Sequence, residues 1–570
     1  MAAMFGHRRL TLHSEPPIPD SRPKAEGGLG LTAAAARLAT RPSPIALILT
    51  LGSMLGLAVR LYQLARPGYL LGVTEYDDGV YFGSAIRLVH GVLPYRDYII
   101  VHPPGITLLM TPIALLTYGM GTAKALAVAR VLMAFIGAAS VPSGGLLVRH
   151  RGVFATAVTC GILAIFPDAI AASHTVLLEP WLVLFCLLGA LAVFDGDEFA
   201  ALPAGAGWRV LRRSRMAWGG VAFGFAGAVK VWAIFPVLVI AALCLPVPRR
   251  LVTYLGGVAV GFLVPVLPFA AAAPRTFINS VIVAQLVRID AVRTSAWARL
   301  SALTGLSDFS RVDNRTLLVV ALAIPAVVIG CSVAASLATR RLPPTLEVFV
   351  LISGALVVAS FLWPADFSYH YAGFFTPFLA LCVSLPLARC AESFAVAVFD
   401  ARWWRAGIAC LVVAAIAGMS LVQIQTESGS WQADPAAAAD RVIPPGACVL
   451  TDMASLTVAA NRFISDVPGC PLILDGVGTD YSLSHGRNGI IGAGDTPAVE
   501  STWLSAFEHA QYVWLSCVPA ASPICDGSAN RRIPWTPTIT AYFESHFKQV
   551  TTPGAPAGLF ERTAGASSAR

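Results

Sequence analysis

Charged side chains are scarce in this chain of 570 residues, making up 13% of it. An ordinary soluble domain carries about 25% charged residues. Hydrophobic residues reach 56%, so the scarcity of charge excludes an ordinary soluble protein and predicts a polytopic α-helical membrane protein. The formal net charge of +8 requires no nucleic-acid partner if the Lys and Arg side chains lie in loops on one side of a membrane.

The N-terminal segment also lacks the short apolar core and cleavage site that are typical of a secretory signal peptide. Residues 1–42 are rich in Arg, Pro and Ala, and we expect them to form a disordered cytoplasmic tail. The first apolar run, at about 43–64, has the roughly 20 residues that a transmembrane helix needs. Because the basic tail stays inside, the loop after this run is predicted to be external.

Arginine-rich loops set the rest of the predicted topology. The apolar run at 104–119 is short and begins at Pro-Pro-Gly. If this run does not cross the membrane, most of the later arginine-rich loops fall on the cytoplasmic side, as expected for such loops. About eleven transmembrane helices result. After 43–64 they fall near 126–148, 152–173, 178–194, 217–234, 236–248, 251–272, 316–338, 346–364, 373–389 and 406–426. We therefore expect a transmembrane domain at 43–429, with its first external loop at 65–125.

The remaining residues, 430–570, contain no further apolar run of spanning length. Short apolar runs alternate there with helix-like stretches, which predicts a small α/β domain on the external side. Four of the eleven cysteines lie in this segment, and disulfides persist in oxidising compartments. Three pairings are open, of which we favour the sequence-local one, Cys448–Cys470 and Cys517–Cys525.

Carboxylates cluster in the first external loop, where three of them lie within four residues, at Glu75, Asp77 and Asp78. Carboxylates are costly beside hydrocarbon, so acids at a membrane face indicate function. His102 follows in the same loop. The alternative for Asp78 is a plain helix N-cap.

Further polar residues are predicted at the same face: Glu179 before Pro180, Lys230, and the pair Tyr369–His370. Each has a structural alternative: Glu179 could begin a helix, Lys230 could extend to the lipid headgroups, and His370 could be a satisfied interfacial residue. The convergence of several hairpins on one face is more informative than any single member.

The loop at 274–315 carries six arginines although it is predicted to be external. Its middle, Phe277–Leu306, is predicted to be an amphipathic helix that lies on anionic lipid. In the sharper interpretation, some of its arginines hold a lipid phosphate, with Arg288 and Arg293 as candidates.

These motifs resemble the GT-C superfamily of membrane glycosyltransferases, in the branch of the protein O-mannosyltransferases and lipid A aminoarabinose transferases. The resemblance rests on the acidic Glu75-x-Asp77-Asp78 loop, the following His102-Pro-Pro and the Leu-Glu179-Pro turn. It covers roughly residues 43–430 in architecture, and an external C-terminal domain also fits that branch.

The resemblance implies an inverting transfer of a sugar, with mannose or arabinofuranose favoured, from a polyprenyl-phosphate donor. The acceptor would be a cell-envelope glycan, lipid or protein outside the plasma (inner) membrane. Asp77 or Asp78 would be the base, and Glu179 would position the acceptor or a metal. The residues that would bind the donor phosphate or the substrate are His102, Lys230, Tyr369, His370, Arg288 and Arg293.

Some members of this superfamily bind a divalent cation. Here Mg²⁺, Mn²⁺ or Ca²⁺ could be held by Glu75, Asp77 and His102, although the sequence does not require one. The alternative function is a transporter or flippase of a polyprenyl-linked glycolipid. Transporters place acids near the bilayer midplane and show internal repeats, whereas these acids cluster at one face, which favours the enzyme.

Overall fold

The structure is a computed structural model that describes residues 43–203, 213–289, 293–305, 313–363, 367–394, 434–516, 532–556 and 558–563, with single positions at 407, 410, 414, 417 and 418. Three predictions therefore fall largely or wholly outside the described residues. They are the disordered tail, the last predicted span and the pair Cys517–Cys525.

Helices dominate the described chain up to residue 394. They are α1 (Pro44–Leu64), α2 (Asp77–Val89), α3 (Gly105–Ala114), α4 (Thr117–Val148), α5 (Gly152–Ile165), α6 (Pro167–Ala171), α7 (Glu179–Val193), α8 (Arg215–Val229), α9 (Ile234–Cys244), α10 (Pro248–Ala272), α11 (Pro274–Ile278), α12 (Ala284–Val287), α13 (Ala296–Ala302), α14 (Asn314–Thr339), α15 (Thr345–Phe361) and α16 (Tyr371–Phe394). A two-stranded hairpin, β1 (Phe194–Asp195) and β2 (Glu198–Phe199), follows α7.

Helices and strands alternate in the C-terminal part. The helices are α17 (Pro435–Ala439), α18 (Ala454–Ala459), α19 (Gly476–Leu483), α20 (Pro497–His509) and α21 (Pro537–His546). The strands are β3 (Val449–Thr451), β4 (Tyr512–Trp514), β5 (Phe547–Gln549) and β6 (Leu559–Arg562).

Within the described residues, five helical stretches are long and apolar enough to cross a membrane. They include α1, α10, α14 and α16, and the fifth runs through α4 and α5. Large apolar side chains such as Val264 on α10 and Leu337 on α14 are mostly exposed, as lipid-facing positions are. The protein is thus a polytopic helical membrane protein, and the number of eleven crossings stays a prediction.

Helix α3, in the run expected not to cross, has 10 residues. At 1.5 Å per residue it is about 15 Å long, half of the roughly 30 Å hydrocarbon thickness. Its length agrees with the predicted topology.

The expected amphipathic helix over Phe277–Leu306 was wrong. A π-helical turn follows α11, α12 ends at Val287, and Arg288 has the non-helical ψ of 124°. The amide of Ile289 donates instead to the carbonyl of Gly486 in the C-terminal part, at 2.8 Å. A tertiary hydrogen bond thus replaces continuation of the helix.

Loops predicted to be cytoplasmic meet at one end of the molecule. His150 Nε2 lies 2.8 Å from Asp197 in the β1–β2 turn, and the Leu346 amide donates to the carbonyl of Asp197 at 2.9 Å. Arg249 donates to the Pro203 carbonyl in the same region. Loops far apart in sequence therefore share this end, as the arginine pattern predicted.

The C-terminal strands form one mixed sheet in the order β3-β4-β6-β5, in which the β3–β4 pair is parallel and the other two pairs are antiparallel. Trp503 of α20 and Val513 of β4 are buried in its apolar core. Cys448 and Cys470 form a disulfide, which is the pairing that we favoured. The sheet and the helices together belong to one compact unit, and the domain boundary near 430 stays a prediction.

Candidate active site

The two adjacent aspartates of the first loop point to different places. Asp78 is fully buried, and its Oδ2 accepts hydrogen bonds from Arg130 at 2.5 Å and from Thr175 at 2.6 Å. Its Oδ1 accepts from Ser455 of α18 at 2.6 Å. Both carboxylate oxygens of Asp78 therefore accept hydrogen bonds from the protein, and the side chain does not line the cavity described below.

Arg130 of α4 is equally buried and also holds the start of the first loop. Its Nη1 donates to the carbonyls of Tyr69, Leu70 and Gly72 at 2.8–2.9 Å. A buried charge needs such partners, because a bare ion in a low-dielectric interior is costly. Arg130 and Asp78 therefore tie the loop to the helices and to α18.

A cavity of about 350 Å³ opens beside the start of α2, and Arg130 does not line it. Most of the predicted site residues line it. They are Glu75, Asp77, His102, Lys230, Arg288, Tyr369 and His370. Arg293 does not line it and is exposed, and Asp78 and Glu179 also stand outside the lining.

Asp77 presents its carboxylate to this cavity, with 27% of its side chain exposed. Its Oδ2 lies 3.8 Å from His370 Nε2 and accepts a hydrogen bond from the Tyr81 hydroxyl at 3.3 Å. Burial raises the pKa of Asp77, and the positive charge that His370 can carry opposes that rise. Of the two adjacent aspartates, Asp77 is therefore the one that a ligand in the cavity could reach.

Glu179 and Lys230 form a buried ion pair directly behind His370. The Lys230 ammonium donates to Glu179 Oε1 at 2.6 Å, and His370 Nε2 lies 3.9 Å from the same oxygen. The ammonium also stands 3.8 Å from the centre of the Trp232 ring and 4.4 Å from that of Tyr371. Lys230 is thereby held at the cavity wall by one carboxylate and two aromatic faces.

Helix ends place these side chains. Glu179 is the first residue of α7 and is followed by Pro180, which favours a helix start. Lys230 follows the last residue of α8, where the backbone turns extended, and His370 precedes α16. The second oxygen of Glu179, Oε2, is buried and has no hydrogen-bond partner among the described residues.

Glu75 faces Asp77 across the rim. Its Oε2 accepts from the Tyr369 hydroxyl at 2.9 Å, and its Oε1 accepts from the amide of Tyr76 at 2.8 Å. Burial, and then the neighbouring charge of Asp77, raises the pKa of Glu75 to about 7. Glu75 therefore titrates near neutral pH.

The expected metal ligands are not brought together. Within the described part of the chain, no three His, Cys, Asp or Glu side chains are grouped as a metal ion requires. Glu75, Asp77 and His102 thus do not fit as one set of metal ligands.

His102 lies beside two cations. Burial, with the positive charges of Lys230 and Arg288, lowers the pKa of His102 well below its usual value.

Sequence reasoning missed the C-terminal half of the cavity. Asp475, Gly478, Tyr481, Asn488 and Arg532 all line it. The Asp-Gly-x-Gly stretch that begins at Asp475 indicates, from sequence alone, only the start of a capped helix. No sequence pattern predicts its contact with the first loop, which lies about 400 positions earlier.

Arg288 also lines the cavity, with its guanidinium 4.8 Å from the centre of the Tyr481 ring. The hydrogen bond from Ile289 to Gly486 brings this arginine to the C-terminal part. Carboxylates and cations therefore face one enclosed volume from four parts of the chain, which is suited to proton transfer next to a stabilised anion.

No family model and no curated protein matches the chain. Among solved structures, it is similar to ArnT from Cupriavidus metallidurans bound to undecaprenyl phosphate, with 17% identity over 73% of this chain and 85% of that one and a TM-score of 0.48. It is also similar to the oligosaccharyltransferase of Archaeoglobus fulgidus tethered with an acceptor peptide (12% identity, 82% and 68% coverage, TM-score 0.46). A third similar structure is the S. cerevisiae protein O-mannosyltransferase Pmt1-Pmt2 complex bound to the sugar donor, with 19% identity over 43% of this chain and 35% of that one and a TM-score of 0.30. These likenesses concern the course of the backbone, and no residue's role here is taken from them.

Proposed function

We propose that this protein is an inverting glycosyltransferase that moves a sugar from a polyprenyl-phosphate donor to a hydroxyl acceptor, with Asp77 as the general base. The observation that carries the proposal is the position of Asp77, whose open carboxylate shares a cavity with the buried Lys230 and His370. Mannose and arabinofuranose are the favoured sugars, and a cell-envelope glycan, lipid or protein is the acceptor.

In this reaction the ionised Asp77 takes the proton of the acceptor hydroxyl as its oxygen bonds to the anomeric carbon. The bond from that carbon to the donor's phosphate oxygen breaks, and the electron pair leaves with the phosphate. Lys230, His370 and Arg288 would stabilise the negative charge that develops there, so no separate acid is needed. Glu179 would hold Lys230 at the wall through the 2.6 Å ion pair.

Asp78 receives a structural role in this proposal. Its oxygens are already bonded to Arg130, Thr175 and Ser455, so they are not open to an acceptor. Of the two candidate bases, Asp77 therefore remains, while Asp78 keeps the loop in place.

The site is proposed to face outward at the plasma (inner) membrane. The Cys448–Cys470 disulfide supports this orientation, because disulfides persist outside the reducing cytosol. Since the first loop and the C-terminal part line one cavity, both would lie on that external side.

The test is transfer of a labelled sugar from polyprenyl phosphate in membranes that contain wild-type protein or Asp77→Asn. We expect the variant to lose roughly 10²- to 10⁴-fold in rate, the usual contribution of a general base. Asp97→Asn is the matched control, because Asp97 lies in the same loop, pairs with Arg96 at the surface and does not line the cavity.

Asp78→Asn should act differently, by lowering thermal stability, because the buried Arg130 guanidinium would lose its negatively charged partner. Transfer by Asp77→Asn at the wild-type rate would refute the assignment of the base. Absence of transfer by the wild type from any polyprenyl-phosphate sugar would refute the proposed function.

A further inference from the structure

The cavity has two walls of different origin. One wall is made at helix ends, where Lys230 and His370 lie. The other comes from the C-terminal part and carries Asp475, Tyr481 and Arg532. Asp77 is close to both walls: its Oδ2 lies 3.8 Å from His370 Nε2, and the neighbouring Tyr76 donates a hydrogen bond to Asp475.

A polyprenyl-linked donor has to approach from the helix side. Its hydrocarbon chain stays in the bilayer, so its phosphate reaches the cavity beside the ends of the apolar helices. The C-terminal wall then remains for the second substrate, which arrives from the aqueous side.

Asp475 lies on this wall and lines the cavity, although only 5% of the residue is exposed. Its Oδ1 accepts from the Tyr76 hydroxyl at 3.1 Å and from the amide of Gly478 at 2.8 Å. Its Oδ2 accepts no hydrogen bond from the described residues. A Cβ at position 478 would stand 2.1 Å from Oδ2, so the glycine keeps that oxygen accessible.

Arg532 flanks the same tyrosine. Its guanidinium lies 4.9 Å from the centre of the Tyr76 ring, and Ser516 Oγ accepts a hydrogen bond from it at 2.8 Å. Tyr76 directly precedes Asp77 in the chain, and the side chains of Asp475 and Arg532 line the same cavity as Asp77.

This wall combines an acceptor, a donor and aromatic rings. Sugar hydroxyls both donate and accept hydrogen bonds, so a carboxylate beside a guanidinium suits them. Aromatic rings with a polar end offer an apolar face to a sugar ring. Five tyrosines line the cavity: Tyr76, Tyr81, Tyr369, Tyr371 and Tyr481.

We propose that Asp475 and Arg532 form the acceptor subsite and that the acceptor is a carbohydrate, with one of its hydroxyls presented to Asp77. The subsite rests on the proposed function. Asp475 binds and orients the acceptor, whereas the proton goes to Asp77.

The test is steady-state transfer by the purified full-length protein, with the donor and a saccharide acceptor varied in turn. Asp475→Asn and Arg532→Gln should each raise the acceptor KM by roughly 10- to 100-fold, as loss of a charged hydrogen bond does. The donor KM should stay within about twofold of wild type, since neither variant removes Lys230, His370 or Arg288, the residues proposed to hold the donor phosphate.

Asparagine still caps a helix, so Asp475→Asn keeps the start of α19 intact. The matched control is Asp434→Asn, because Asp434 caps α17 in the same way but does not line the cavity. We expect that control to leave both KM values at the wild-type level.

Unchanged acceptor KM in both variants, with transfer intact in the wild type, would overturn the subsite. A wild type that transfers to a Ser/Thr peptide and to no saccharide would overturn the carbohydrate acceptor. Both results are distinct from failure of the proposed function, in which the wild type transfers no sugar at all.

Discussion

At the scale of single residues, the adjacent Asp77 and Asp78 have different surroundings because both lie in the first turn of a helix. Asp77 is the first residue of α2 and Asp78 the second, and successive side chains on a helix point about 100° apart. One therefore reaches the cavity, and the other reaches Arg130 in the interior.

Glu75 provides a prediction at this scale. Its pKa is raised to about 7, first by burial, so the folded protein holds its proton more tightly than the unfolded chain does. The stabilising contribution of the neutral form is present below the unfolded pKa of about 4.5 and is lost as pH rises through about 7.

We expect the thermal stability of the wild type to fall between about pH 5 and pH 8, and Glu75→Gln to remove part of that fall. Thermal unfolding in detergent across this pH range measures it. Glu544→Gln, at an exposed position on α21, serves as the control and should leave the slope unchanged. An equal slope in Glu75→Gln and wild type would contradict the raised pKa.

At the scale of elements, close packing of α2 on α18 joins the first loop to the C-terminal part. A Cβ at Gly79 would stand 2.0 Å from the Ser455 amide nitrogen and 2.6 Å from the Ala454 carbonyl carbon. These are backbone atoms, which cannot turn aside as a side chain can. Only glycine allows the two helices to approach this closely.

Gly79→Ala should therefore destabilise the protein by about 1–3 kcal/mol or more through overpacking. Gly119 offers a matched comparison, because it is also the third residue of its helix and a Cβ there would have nothing within 4 Å. Gly119→Ala should be neutral or slightly stabilising, since Ala is the better helix former. Limited proteolysis and thermal unfolding distinguish the two, and equal behaviour of both variants would disprove the packing argument.

At the scale of the whole molecule, the two ends differ in chemistry. The arginine-bearing loops meet around Asp197 at one end, and the acidic cavity with the C-terminal part forms the other. The helices are long enough to place these ends on opposite sides of a membrane, since α10 alone has 25 residues.

We expect an epitope tag at the C-terminus to be reached from outside intact cells. A tag inserted between Pro203 and Arg213 should be reached only after permeabilisation. Cys448 and Cys470 should resist a thiol reagent until a reductant is added, because they form a disulfide. Labelling of both tags from the same side would contradict the proposed orientation.

Several properties follow from the sequence alone, for reasons that are local. Low charge and long apolar runs determine membrane helices, because each helix satisfies its own backbone and needs only length and hydrophobicity. Arginine placement predicted which loops meet at one end, and carboxylates beside apolar runs marked Glu75 and Asp77 as site residues.

Only the tertiary structure decided where these residues lie and which partners they contact. The choice between Asp77 and Asp78 depends on Arg130 and Ser455, and Ser455 lies 377 positions from Asp78. The C-terminal wall with Asp475 depends likewise on contacts between distant segments. Periodicity and composition describe a residue's neighbours along the chain, whereas the partner of a buried charge is set by packing across the fold.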